Sequence, residues 1–103
     1  MIRVNYCRTG ERHRLALSGH AGYDNTGHDI VCAGVSAISL ALLAYVQTKA
    51  EIREARYESG ELLLDCEGGP RTEAAFDMAM TGYVNLADKF PQHVDVYIAS
   101  DGG

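Results

Sequence analysis

From Ile30 to Val46 the chain carries no charged residue and is apolar on every side of the helix it would form. Small residues at Ala33, Gly34, Ser36, Ala37 and Ala41 allow neighbouring backbones to come close. A helix greasy all round has no face suited to water and needs cover all round. One face of a sheet cannot supply that, so a second helix or another copy of the chain must complete the burial. The run falls short of the roughly 20 residues that a membrane span needs, and Ser36 and Ser39 interrupt it. The reading is therefore a buried helix from Ile30 to about Lys49, with no membrane involved.

The segments on either side are strand-like. Ile2, Val4 and Tyr6 alternate with Arg3 and Asn5, the period of a half-buried strand. Thr9-Gly10-Glu11 is turn material, and Arg12 to Ser18 predicts a second strand with Leu15 and Leu17 on one face. Beyond the helix, Arg53 to Tyr57 and Leu62 to Cys66 flank the turn Glu58-Ser59-Gly60-Glu61, a second hairpin. Pro70 suits the first turn of another helix. Phe76, Met80, Tyr83, Ala87 and Phe90 line one side of it, and Pro91 stops it. Val94, Val96 and Ile98 alternate as a final strand before a frayed tail from Ser100 to Gly103. The order β-β-α-β-β-α-β predicts an α+β fold: a mixed or antiparallel sheet packed by two helices as a sandwich. At 103 residues and 47% hydrophobic content, the chain has material for one core and one domain, residues 1–103.

Charge and cysteine usage narrow the function. A formal charge of −5 argues against direct nucleic-acid binding and suits a basic partner. Met1-Ile2-Arg3 opens directly into strand-like sequence, without the pattern of a signal peptide. Three cysteines without framework spacing predict a reduced, cytoplasmic protein. No Cys-x-x-Cys or His-x-x-x-His pair is present, so neither a metal site nor a cofactor is expected.

The chemistry concentrates where the long helix begins. Asp29 is a good N-cap, which makes Ile30, Val31 and Cys32 the first three helical residues. A thiol there feels the positive end of the helix dipole, which favours the nucleophilic thiolate. A lone cysteine in an apolar helix is otherwise an inert core residue, and position alone leaves both readings open. Two histidines are candidate bases: His20 at the end of the second strand and His28 beside the cap. Spacing does not rank them. The loop from Ala21 to His28 is rich in glycine and small polar residues, so it is expected to be mobile. Gly22, Tyr23, Gly27 and His28 would then gate the site. Asp29 either caps only or also orients the site, and Ser36, one turn beyond Cys32, is a candidate pocket residue. Cys7 and Cys66 read as structural, buried or half-buried thiols, and His13 and His93 as surface residues. A glycine-rich loop entering a helix can alternatively cradle an anion or phosphate, although Gly-Lys-[Ser/Thr] and Gly-x-Gly-x-x-Gly are both missing.

Gly19-His20-Ala21, Gly27, Asp29-Ile30-Val31-Cys32-Ala33 and Val35-Ser36 together resemble the signature of the bacterial ribosomal-processing cysteine protease family, Prp. The resemblance extends over most of the chain in order of elements. Gly34 departs from it, since alanine is the commoner residue there. The resemblance implies a catalytic dyad of His20 and Cys32 and a homodimer. It implies as substrate the N-terminal extension of a large-subunit ribosomal protein, cut at a short apolar, aromatic-containing motif. Backbone N–H groups at the helix start would then serve as the oxyanion hole. A non-catalytic ribosome-assembly module is the alternative.

Overall fold

A computed structural model of the chain describes residues 1–25 and 28–101. The elements are β1 (Ile2–Thr9), β2 (Arg12–Ser18), α1 (Ile30–Lys49), β3 (Glu51–Glu58), β4 (Glu61–Glu67), α2 (Pro70–Lys89) and β5 (Val94–Asp101). Gly10, at φ 60, opens the two-residue turn between β1 and β2. Positive φ at the first central position gives the twist that a tight hairpin needs.

The five strands form one mixed sheet in the order β3-β4-β2-β1-β5. β5 runs parallel to β1, and the remaining pairs are antiparallel. Register stacks the inward side chains in rows, Tyr6 beside Leu15 beside Leu64, and Val4 beside Leu17 beside Leu62. Val31, Val35, Leu42 and Val46 of α1 and Phe76, Ala79, Met80 and Tyr83 of α2 join them in one core. The sandwich expected from the element order is what forms.

The helices approach closely. A Cβ on Gly82 would lie 2.8 Å from Ile38 Cδ1, while one on Gly34 would make ordinary contacts of 3.4 and 3.6 Å with Leu86. Gly34 therefore sits where alanine also fits. Ser39, polar yet buried, donates to the Val35 carbonyl (2.7 Å) and meets the Tyr83 hydroxyl (2.7 Å), so both buried hydroxyls are paired. α1 buries one stripe only, Val31, Val35, Ser39, Leu42 and Val46, whereas Ile30 remains 60% exposed and Leu40 49%. At 20 residues it is long and apolar enough to cross a membrane by length and composition, as core helices often are.

Three local expectations are corrected. His13 is fully buried: it shares the inward side of β2 with Leu15 and Leu17, its Nδ1 pairs with the Tyr6 hydroxyl, and its ring stacks on Phe76 at 4.5 Å. Burial, with the Arg8 charge adding to it, pushes its pKa down. Cys7 is exposed, because β1 turns Ile2, Val4 and Tyr6 inward and the odd positions outward. Ser100 and Asp101 continue β5 alongside Arg8 and Thr9 instead of fraying.

Candidate active site

β2 ends at Ser18, and Gly19 turns the chain with φ 96. A side chain is excluded there twice over. The backbone lies in the left-handed region, and a Cβ would run into the Met1 carbonyl oxygen. The Gly19 N–H donates to the Gly60 carbonyl (2.9 Å), which joins the end of β2 to the β3–β4 turn. The His20 ring then lies directly on Gly60: a Cβ at that glycine would sit 2.6 Å from Nε2 and 2.9 Å from Cε1.

The next residue, Ala21, is buried, and both of its backbone groups are engaged. Its N–H donates to Cys32 Sγ at 3.3 Å. Its carbonyl accepts from His93 Nδ1 at 2.8 Å, which fixes a proton on Nδ1 because a carbonyl can only accept. His93 is thus half-buried inside this arrangement, where a surface position was expected. Nothing in its sequence spacing marks it. It lies just before β5, whose pairing with β1 brings it beside the strand-end glycines.

Across from Ala21, Asp29 caps α1 as expected. Its Oδ1 accepts from the N–H groups of Val31 (3.0 Å) and Cys32 (2.9 Å). Its Oδ2 accepts from Tyr23 (3.0 Å) and Asp24 (3.3 Å), so the same carboxylate also ties down the loop. Desolvation alone would raise its pKa. The four backbone donors outweigh that and hold the carboxyl below the usual carboxylate range. A second consequence bears on the expected oxyanion hole. The Val31 and Cys32 N–H groups are taken by Oδ1, and the Ala33 N–H by the Asp29 carbonyl (3.0 Å). The same occupancy leaves those three donors unavailable to a phosphate. The Ala21 N–H, arriving from the strand side, is the backbone donor aimed at the sulfur.

A cleft of about 820 Å³ lies between the start of α1, the end of β2 and the β3–β4 turn. His20, Gly22, Asp24, Asp29, Cys32 and Ser36 all border it. The sequence-derived residues are thus brought together with two exceptions. His28 is exposed and does not line the cleft; its N–H donates to the Asn25 carbonyl (2.9 Å). Tyr23 packs edge-on against Phe90 and His93 with centroids 5.3 Å away from each. Gly27 lies outside the described residues. Among the lining residues the acidic ones are Asp24, Asp29, Glu58 and Glu61, and none is lysine or arginine. Of the three thiols only Cys32 borders the cleft. Cys66 is buried in the core, and burial, reinforced by Asp65, pushes its thiol up to about 11. Among the described residues no three His, Cys, Asp or Glu side chains converge to hold a metal ion.

A family model described as "Cysteine protease Prp" matches residues 1–95. The ribosomal processing cysteine protease Prp of Mycoplasma genitalium is 27% identical over 95 residues, covering 91% of this chain and 92% of the relative. Among solved structures, that of the ribosomal processing protease Prp from S. aureus, in complex with a covalently linked product peptide, superposes with a TM-score of 0.86. It is 18% identical, and the match covers 95% of this chain and 99% of that one. A protein from Streptococcus mutans superposes with a TM-score of 0.74 at 24% identity, covering 98% and 96%.

Proposed function

Because this chain belongs to the cysteine protease Prp family, we propose that Cys32 is its nucleophile and His20 its general base, and that its substrate is a ribosomal protein precursor. One observation carries the assignment: Cys32, half-exposed in the third position of α1, borders the same cleft as His20 and receives a backbone N–H from Ala21. His20 takes the thiol proton and the thiolate attacks the scissile carbonyl carbon, forming a C–S bond. The charge that develops on the carbonyl oxygen needs a donor near the sulfur, and the Ala21 N–H is placed for it. The imidazolium then protonates the leaving amine, and water releases the acyl group from sulfur. His20 makes no hydrogen bond to Cys32 among the described residues; the ring rests on Gly60. Such pairs tighten once substrate is bound.

The substrate in this reading is a large-subunit ribosomal protein with an N-terminal extension, met in the cytoplasm. The relatives' description as ribosomal processing proteases supports it, as does the acidic wall formed by Asp24, Glu58 and Glu61. A basic precursor gains electrostatic steering into such a cleft. The loop carrying Gly22, Tyr23 and His28 gates the entrance by letting go of the Asp29 carboxylate, which holds the Tyr23 and Asp24 N–H groups, with Gly22, at positive φ, as a hinge. Hydrogen exchange at Asn25 and His28 should slow when a peptide inhibitor binds; equal protection in both states refutes gating. The decisive test is incubation of the wild type and of Cys32→Ala with the organism's own extended ribosomal protein, read by mass. Wild type should release the extension and Cys32→Ala should not. Cleavage by Cys32→Ala would overturn Cys32 as the nucleophile, and release by neither protein would leave a binding module as the better reading.

A further inference from the structure

We propose that His93 is a positioning residue for the nucleophile: by holding Ala21 it fixes the hydrogen bond that Ala21 gives to Cys32 Sγ. The inference rests on Cys32 being the nucleophile. Its starting point is a chain of two bonds, His93 Nδ1–H to the Ala21 carbonyl at 2.8 Å and Ala21 N–H to Sγ at 3.3 Å. Ala21 belongs to no strand or helix; the peptide that carries its N–H is held on its other side by the Met1 ammonium, which donates to the His20 carbonyl (2.6 Å), and His93 holds the peptide that follows. His93 is itself immobilised by its backbone. Its N–H donates to the Phe90 carbonyl at the end of α2 (2.9 Å), and its carbonyl accepts from Ile2 (2.9 Å). The edge-on contacts of Tyr23 with Phe90 and His93 close the far side.

An N–H bond to sulfur stabilises thiolate more than thiol, since hydrogen bonds to charged groups are the stronger ones. Its value depends on aim. Releasing the Ala21 carbonyl frees the peptide next to Gly22, which is at positive φ, and leaves the aim of the Ala21 N–H to the Met1–His20 bond on its other side, so the N–H drifts from the sulfur. His93 touches neither Sγ nor the cleft; it acts through Ala21 alone.

The test compares His93→Leu, which keeps apolar bulk but cannot donate, with His93→Asn, whose side-chain amide can. Both are made in a Cys7→Ser background, so that Cys32 is the reactive thiol. Two readouts are needed: the pH profile of Cys32 alkylation by iodoacetamide, and kcat and KM for a peptide substrate. In His93→Leu the alkylation profile should move upward by about one pH unit and kcat fall roughly tenfold, with KM little changed, the size expected for one charge-assisted bond. His93→Asn should restore most of both. Equal profiles in wild type and His93→Leu overturn the proposal. So does a folded His93→Asn that behaves like His93→Leu, or that loses the profile when His93→Leu fails to fold. A wrong nucleophile assignment would surface separately, as cleavage by Cys32→Ala, whereas the alkylation profile reports on the His93 link alone.

Discussion

Gly60 offers a sharp test of the base, because its two demands can be separated. Its φ of 74 lies in the left-handed region, and a Cβ would stand 2.6 Å from His20 Nε2. Gly60→Ala therefore costs about 1–2 kcal/mol of backbone strain, equivalent to a fall in Tm of about 4–8 °C per kcal/mol for a domain of this size. It also forces the imidazole to withdraw by about 1 Å to regain ordinary contact, and a misplacement of that size can reduce a rate on the order of 100-fold. Gly10 supplies the control. Its φ is 60, nothing lies within 4 Å of its Cβ position, and its turn is at the opposite end of β2 from His20. Gly10→Ala should lose similar stability and keep its activity. The assay is thermal unfolding of both variants beside kcat/KM on a fluorogenic peptide well below either Tm. Wild-type cleavage by Gly60→Ala would refute the idea that the ring's place on Gly60 is its working place. Equal activity loss in both variants would refute it as well, by showing that turn strain alone is responsible.

Three further outcomes are expected. His20→Ala should approach the inactivity of Cys32→Ala in single-turnover cleavage, since base and nucleophile act as a unit, while His28→Ala, outside the cleft, should be mild; the reverse order would move the base to His28. Burial lowers the pKa of His13 in the folded chain, so its contribution to stability is complete above the unfolded value of about 6.5 and is lost as pH falls through the folded value. Urea midpoints at pH 7 and pH 5 should thus differ more for wild type than for His13→Phe, and identical differences would exclude His13 as a source of acid sensitivity. Sedimentation at micromolar concentration should give twice the chain mass, with Leu40→Glu shifting it toward monomer, because α1 leaves Ile30, Leu40 and Tyr45 exposed; a strict monomer at all concentrations refutes the dimer.

Most of the fold was legible because its signals are local. Period-2 alternation marked β1, and the helical spacing of Phe76, Met80 and Tyr83 marked α2. The cap at Asp29 placed Cys32 correctly. Misreadings arose where a residue's type was allowed to override its parity. His13 shares a face with Leu15 and Leu17, and Cys7 does not share one with Val4 and Tyr6; both exposures follow from counting by two. The all-round cover expected for α1 did not appear in one copy, since an apolar sequence states what a helix can bury and not what is present to bury it. Two parts of the site lay beyond sequence reasoning altogether. Gly60 and His93 reach His20 and Ala21 only through the pairing of β4 with β2 and of β5 with β1. Contacts across such separations leave no trace in a local pattern.

The parallel pairing of β5 with β1 also carries a consequence in time. It sets Ile2 beside Val94, and His93 stands at the start of the last strand. Contacts that distant in sequence form only after their loop-closure entropy has been overcome, so they come late in folding. Both hairpins and α1 lie upstream of Pro70, so they are synthesised before α2 and β5 exist. At that stage the α2 side chains that complete the core, Phe76 and Tyr83 among them, and the clamp on Ala21 are both missing. If His93 acts as proposed, a nascent chain emerges beside other nascent proteins with its thiol not yet primed. On the role proposed for His93, full reactivity of the thiol waits for β5 to dock, which ties activity to completion of the fold.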